Sequence, residues 1–427
     1  SHVVKVVLSY GKTGLTVELP DDNVTVVRPV FAPGLSDERG AVADALRHPI
    51  GRPALKHMVK PSNTVAIVFC DATRPVPNRL ILPVLLGELE SAGVGRDQIV
   101  LVNALGTHRP SPPQELVELL GEDLVREYRI IQHECSDRNT MALAGRLSNG
   151  QELWVNRDYL SADFKILTGF IEPHFFAGFS GGGKLVFPGI ASLENIKEAH
   201  GYRILSHARS TWGITHGNPV WELLTDGARL TAPDFIVNVT LNSEKAITGV
   251  FAGELSAAHA RGAEHAKQTA MRAVPERFDV VITTNSGYPL DRNVYQTVKG
   301  ISAAASIVKD GGAIIAAAEC IDGIPAGSHF HRLLQRAGTP ERALELIASP
   351  GFSMQDQWQV QLQAEIQMRA DVYLYSHRLS KDEIRTTMLK PCDSIEDTLA
   401  DLLQKYGSDA SICVLPDGPQ TIPYVEA

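Results

Sequence analysis

Short apolar runs alternate along this chain with longer stretches of helical spacing, and few folds accept that alternation. Residues 64–69, 98–103, 164–171 and 235–240 read as buried strands. Between them, 78–92 and 113–120 carry helical spacing, with Pro83 predicting a late start or a kink in the first. A strand covered on both faces is apolar throughout, and helices between such strands carry the chain from one parallel strand to the next. A second series follows the Ala-rich helix 256–274: strands 278–284, 313–318 and 371–375, separated by helices 293–308, 357–369 and 394–406. The chain's 427 residues exceed the size at which one core stops growing. The reading is therefore α/β, with two α/β domains and mostly parallel sheets. Residues 1–274 form the expected N-terminal domain and 275–408 the C-terminal one, with Val274-Pro275-Glu276-Arg277 as the linker. The closing strand 411–415 suits either, so 409–427 is open to rejoining the N-terminal domain.

Charge and cysteine usage exclude several classes. Forty Lys and Arg against forty-nine Asp and Glu give a net charge of -9, which disfavours nucleic acid as a partner. The five cysteines are odd in number, widely spaced and form no CxxC pair, so neither a disulfide framework nor a zinc ribbon fits and a reducing cytoplasm is expected. No apolar run reaches the length of a membrane span, and no basic segment leads into an apolar stretch near the start, so neither membrane nor export is expected. Ser1 and His2 read as an appended remnant.

Three expected strands of the N-terminal domain end in polar clusters: Asp71-Ala72-Thr73-Arg74-Pro75, Gly106-Thr107-His108-Arg109 and Glu172-Pro173-His174. In open α/β sheets, ligands bind beyond the carboxyl ends of the strands. Arg74 offers the fixed fork of donors that suits a carboxylate; the alternative is a salt bridge to Asp71. His108 and His174 suit proton transfer to and from a hydroxyl. Two of them suggest a reaction run in both stereochemical senses, because one fixed base reaches one face of a carbon.

The run Gly178-Phe179-Ser180-Gly181-Gly182-Gly183-Lys184 matches the G-x-x-x-x-G-K of a phosphate-cradling loop. Leu185 stands where a Ser or Thr should hold magnesium, and residues 172–177 separate the run from its strand. What survives is a side-chain-free surface on which a bulky group lies, with Lys184 projecting into the site. His200 follows at the end of helix 192–199, without the HxH or HExxH spacing of a protein-only metal site. Any metal there must draw most of its ligands from something other than the protein.

Taken together, Asp71-Ala72-Thr73-Arg74-Pro75-Val76-Pro77, Gly106-Thr107-His108-Arg109-Pro110 and Glu172-Pro173-His174-Phe175-Phe176-Ala177-Gly178-Phe179-Ser180-Gly181-Gly182 resemble the lactate racemase family. The resemblance continues through Lys184, Pro188-Gly189-Ile190-Ala191-Ser192 and His200 to Gly287-Tyr288-Pro289-Leu290-Asp291, Tyr295-Gln296, Lys299-Gly300 and Asp356-Gln357-Trp358. It implies a nickel-pincer nucleotide, pyridinium-3,5-bisthiocarboxylic acid mononucleotide, covalently attached to Lys184, with His200 completing the nickel coordination. The resemblance further implies an active site in the interdomain cleft. There His108 or His174 takes the hydroxyl proton of a 2-hydroxyacid while the C2 hydride passes to the cofactor, leaving a 2-keto acid. Arg74 and Lys299 are implied to hold the carboxylate, with Gln296, Tyr295 and Trp358 near the substrate. Asp71, Thr73, Gly181 and Gly182 are implied near the cofactor, with Asp71 and Thr73 meeting its phosphate or orienting Arg74. Enzymes that build the cofactor become maturation partners. Gly183 replaces the bulkier Arg of lactate-specific members, and Leu185 and Pro173 also differ, which predicts a pocket reshaped for a larger hydroxyacid. Two other classes stay in view: a P-loop-like nucleotide-dependent phosphotransferase and a non-catalytic carboxylate- or nucleotide-binding protein.

Overall fold

The structure, a computed structural model, describes residues 2–325 and 328–426. It divides into a mid-chain unit, Phe31–Thr269, and a terminal unit that joins Ser1–Val30 to Ala270–Ala427. Among the described residues no helix is long and apolar enough to cross a membrane.

The mid-chain unit is built on a six-stranded sheet in the spatial order Ile247–Gly253, Phe235–Leu241, Phe164–Phe170, Val65–Cys70, Ile99–Ala104, Arg129–Gln132. Every pairing is parallel except the one between the first two strands. Val65–Cys70 is buried along its whole length, as expected of a strand covered on both faces. The following helix, Asn78–Ser91, runs unbroken through Pro83, so neither the late start nor a break is realised. Asn78 Nδ2 donates to the carbonyl of Cys70 at 2.9 Å and fixes the strand end against the helix start.

After Phe164–Phe170 the chain makes a two-residue hairpin, with Pro173 opposite Phe179 and His174 opposite Gly178, and then a 3-10 turn, Gly182–Leu185. A phosphate-cradling loop joins a buried sheet strand directly to a helix, whereas here the turn follows a two-residue hairpin strand and does not run on into a helix. The glycines answer to packing instead. A Cβ on Gly178 would lie 2.1 Å from the Ile214 carbonyl oxygen, and one on Gly181 would lie 2.8 Å from both Asn238 Oδ1 and the Phe170 oxygen. A Cβ on Gly182 would approach the His259 ring to 2.8 Å, and one on Gly183 would reach the Ala228 Cβ, on helix Pro219–Leu230, at the same 2.8 Å. The expected open glycine surface is thus corrected. Gly181 and Gly182 are buried, and Gly182 N–H donates to Asn238 Oδ1 at 2.9 Å, so their backbone is held by the protein interior.

The terminal unit holds a second six-stranded sheet, parallel throughout, in the order Lys390–Pro391, Asp371–Tyr375, Val308–Ala317, Phe278–Thr284, Ile412–Leu415, Val24–Val26. The hairpin of Val3–Leu8 with Leu15–Pro20 buries Leu8 and Leu19 in one core with Ile282, Ile315 and Leu399. The expected division at residues 274/275 therefore differs at both ends. The first thirty residues belong with the C-terminal series because Val24–Val26 completes its sheet edge, and residues 409–427 stay there because Ile412–Leu415 pairs with Phe278–Thr284. The expected linker also shifts: helix Leu255–Ala270 ends early, and Met271–Val274 is a strand paired with Ile422–Val425.

Three substitutions test this packing. Gly183→Ala should destabilise by about 1–3 kcal/mol through overpacking against Ala228. Gly87→Ala, in open space on helix Asn78–Ser91, should stabilise by about 0.5–1 kcal/mol. Chemical denaturation of both variants reads the opposite signs. Leu8→Ala should cost about 2–5 kcal/mol in the same measurement, because it is buried in one core with Ile282, Ile315 and Leu399.

Candidate active site

Phe164–Phe170, Val65–Cys70 and Ile99–Ala104 are neighbours in one parallel sheet, so the segments leaving them emerge at the same edge. These segments carry Glu172 and His174, Asp71 to Arg74, and His108. The turn bearing Lys184 is tied to the same edge, because Gly106 N–H donates to the Gly189 carbonyl at 2.9 Å and Gly189 N–H donates to that of Lys184 at 3.0 Å.

Asp71 is buried at the strand end and both of its oxygens are engaged. Oδ2 lies 2.8 Å from His108 Nδ1, while Oδ1 accepts from the Thr73 hydroxyl at 2.6 Å and the Thr73 N–H at 3.3 Å. Burial alone would raise the Asp71 carboxyl, but the bonds from His108 and Thr73 outweigh it and hold it below the usual carboxylate range. An ionised carboxylate can only accept, so His108 Nδ1 carries the proton and Nε2 holds the lone pair. The alternative bridge from Asp71 to Arg74 is not made among the described residues. Arg74 is exposed, and its guanidinium lies close enough to Lys184 to depress the amine. Asp71 thus joins Thr73 to His108.

His174 is held differently. The Phe176 and Ala177 backbone N–H groups both donate to its Nδ1 at 3.1 Å. Its ring stacks on Phe175 at 4.8 Å between centroids with 14° between planes, and Phe175 leans on Phe176 and Trp212. The sequence offered no sign of this aromatic support beyond the adjacent Phe-Phe pair.

Lys184 is half-buried, and desolvation, reinforced by Arg74 and opposed by Glu172, lowers its amine to about 7. His200 caps the helix Leu193–Ala199 and donates Nδ1–H to the Ile196 carbonyl at 2.7 Å. Burial lowers the His200 imidazole, and the nearby Lys184 charge adds to that effect. Among the described residues no group of three or more His, Cys, Asp and Glu is arranged to hold a metal.

The other expected site residues lie in the terminal unit. Tyr295, Gln296 and Lys299 share one face of helix Val294–Ala305. The Tyr295 hydroxyl donates to Asp356 Oδ1 at 3.4 Å and is bonded by Trp358, while burial and the Asp356 charge push the phenol up. Tyr295 and Trp358 are therefore brought together through the phenol oxygen. Asp356, which sequence reasoning passed over as a site residue, adopts φ 64° as it opens helix Gln357–Gln367. A non-glycine residue in that region is a signal of constraint invisible in a one-letter string.

The departures at Gly183, Leu185 and Pro173 all lie against the protein interior. Gly183 faces helix Pro219–Leu230, Leu185 is buried against Gly169, and Pro173 is buried in the hairpin.

Residues 10–213 match the lactate racemase N-terminal domain family and residues 274–422 match the lactate racemase C-terminal domain family. A lactate racemase of Thermoanaerobacterium thermosaccharolyticum is 34% identical over 421 residues, spanning 97% of this chain and 98% of that protein. A lactate racemase of Lactiplantibacillus plantarum is also 34% identical, over 97% of this chain and 99% of the relative. The solved structure of the lactate racemase apoprotein from T. thermosaccharolyticum superposes with a TM-score of 0.90 at 33% identity, over 98% of this chain and 100% of that one. A crystal structure of a protein from Thermotoga maritima shares the fold at a TM-score of 0.65 and 19% identity, over 93% of this chain and 100% of that one. Matched by both domain families and by relatives along nearly its whole length, the chain belongs to the lactate racemase family and is an isomerase.

Proposed function

We propose that this enzyme interconverts the C2 stereoisomers of a 2-hydroxyacid, lactate first among the candidates, through a 2-keto acid. The observation that carries the reading is the Asp71–His108 pair standing at the sheet edge to which the Lys184 turn is tied. A phosphotransferase fits poorly, since Lys184 sits in a 3-10 turn that follows a two-residue hairpin strand and does not run on into a helix. Membership in a family of isomerases leaves no place for a non-catalytic binder.

The donor set fits a nickel-pincer nucleotide. Lys184 supplies an amine for covalent attachment, and His200, whose Nδ1–H is held by the Ile196 carbonyl, would offer an imidazole nitrogen to nickel. When bound, such a group accepts and returns a hydride, which avoids forming a carbanion beside a carboxylate. The chain's own residues bind and move protons. Arg74 holds the substrate carboxylate with a charge-assisted fork. His108 or His174 takes the proton of the 2-hydroxyl and returns it after the keto acid has turned its other face. Enzymes that build the nucleotide act on this chain during maturation. Five free cysteines suit a reducing cytoplasm.

A panel of enantiopure 2-hydroxyacids followed by polarimetry tests the reading and ranks substrates; no loss of optical activity with any member, in protein carrying the cofactor, would sink it. His108→Ala and His174→Ala should each lower racemisation by about 10²–10⁴-fold with the cofactor still attached by intact mass. Lys184→Ala should carry no adduct in that mass measurement. Arg74→Lys should raise KM by about tenfold or more through loss of the bidentate fork, and an unchanged KM would remove Arg74 from the carboxylate.

A further inference from the structure

The turn that carries Lys184 is held from the interior by two side chains from outside the run 178–184. His259, on helix Leu255–Ala270, is buried, and its Nε2 lies 2.9 Å from the Ser180 carbonyl oxygen. A carbonyl only accepts, so the ring carries a proton on Nε2. The same ring lies against Gly182, where an added Cβ would come within 2.8 Å of it, and it stacks on Trp221 at 4.4 Å between centroids with 28° between planes. Asn238, in the middle of strand Phe235–Leu241, is fully buried, and its Oδ1 accepts the Gly182 N–H at 2.9 Å. Lys184 follows two residues on, with its own N–H donating to the Gly181 carbonyl at 3.2 Å.

Burying a histidine and an asparagine is unfavourable unless hydrogen bonds offset the lost hydration, and apolar residues of similar size would fill the same space without that loss. Burial pushes the His259 imidazole down to about 4, so the ring is neutral at physiological pH. What the two polar groups add is direction, because each bonds one backbone atom of one turn. Ser180 is held at several atoms: its N–H donates to the Glu172 carbonyl at 2.9 Å, its hydroxyl donates to the Phe170 carbonyl at 2.9 Å, and its own carbonyl meets His259. Gly181 and Gly182 follow at φ 79° and 55°, a region where glycine alone is at ease and from which it readily departs. Bonds at Ser180 and at the Gly182 N–H remove that freedom on both sides of Gly181. We propose that His259 and Asn238 are positioning residues for the attachment lysine: they fix the path of residues 180–182 and so the point from which the Lys184 side chain departs. This rests on the reading of Lys184 as the residue that tethers the nucleotide. Neither side chain touches the reacting atoms. A lysine free to shift would lose its place beside His200 and Arg74, and a displacement of about 1 Å is enough for a loss of about a hundredfold.

Four full-length variants test the assignment: His259→Leu, His259→Gln, Asn238→Ala and, as a comparison of lowered stability in the other unit, Leu8→Ala. Glutamine can donate to the Ser180 carbonyl from nearly the place of the histidine Nε2, so it is the conservative replacement. In apoprotein, hydrogen exchange over residues 180–184 should quicken by about tenfold or more in His259→Leu and Asn238→Ala, stay near the parent rate in His259→Gln, and be unmoved by Leu8→Ala. In protein made together with the cofactor-building enzymes, intact mass should show a smaller fraction carrying the adduct in His259→Leu and Asn238→Ala, with His259→Gln restoring most of it. The loaded fraction of those two should show kcat lower by about tenfold to a hundredfold with KM little changed, because Arg74 is untouched. Asn238→Ala leaves the helix as it is and reads the same turn should His259→Leu not fold. Parent-like exchange and parent-like adduct in both His259→Leu and Asn238→Ala overturn the proposal. So does a His259→Gln as impaired as His259→Leu, or an equal loss of adduct in Leu8→Ala, which would trace the effect to stability at large. Parent protein without an adduct on Lys184 would refute the tethering reading itself, whereas the exchange rates are read without cofactor or substrate and judge the bracing of the turn separately.

Discussion

Val65–Cys70 is hydrogen-bonded on both sides by parallel neighbours and buried throughout, and this registry decides where the chemistry of the mid-chain unit appears. A parallel sheet sends every strand out at the same edge, so three separate stretches of sequence deliver Asp71, His108 and His174 to neighbouring positions with no loop needing to be long. Anchoring at that edge is then a matter of individual bonds: Asn78 holds the Cys70 carbonyl, Gly106 holds Gly189, and Asp71 holds His108. Each bond is short-range once the sheet has formed, and each is unobtainable without it.

The glycine run shows how one pattern supports two physical stories. G-x-x-x-x-G-K calls up a loop opened for a ligand, yet a Cβ added at any of its four glycines would meet the protein itself: Ile214, Asn238, His259 or Ala228. The turn is compact because its neighbours crowd it, which places Lys184 at a defined position beside Arg74 and Glu172. Rigidity of the backbone, more than access to it, is what the glycines supply.

Much of the mid-chain sheet was legible in the sequence. The apolar runs at 64–69, 98–103, 164–171 and 235–240 became strands within a residue or two, because a strand covered on both faces has no alternation to obscure it. Polar residues immediately after such runs marked the site for the same reason. What could not be read depends on partners distant in sequence. The short, half-polar strand Val24–Val26 has meaning only beside Ile412–Leu415. The partner of Asp71 was not legible either, since Arg74 is three residues away and His108 is nearer only in the folded sheet. Tautomers are a further step removed, because they follow from whether a ring nitrogen faces a carboxylate or an amide N–H.

The joining of both chain ends into one sheet fixes an order of events during synthesis. Residues 31–269 leave the ribosome with every strand of their own sheet present and can condense at once. The opening segment, with Leu8 and Leu19 still uncovered, has to wait through that entire interval for Phe278–Thr284 and, last, Ile412–Leu415 to arrive. The chain's earliest residues are thus among the last to find their place, and a nascent polypeptide stalled anywhere before the final strand carries an unfinished hydrophobic hairpin into the cell.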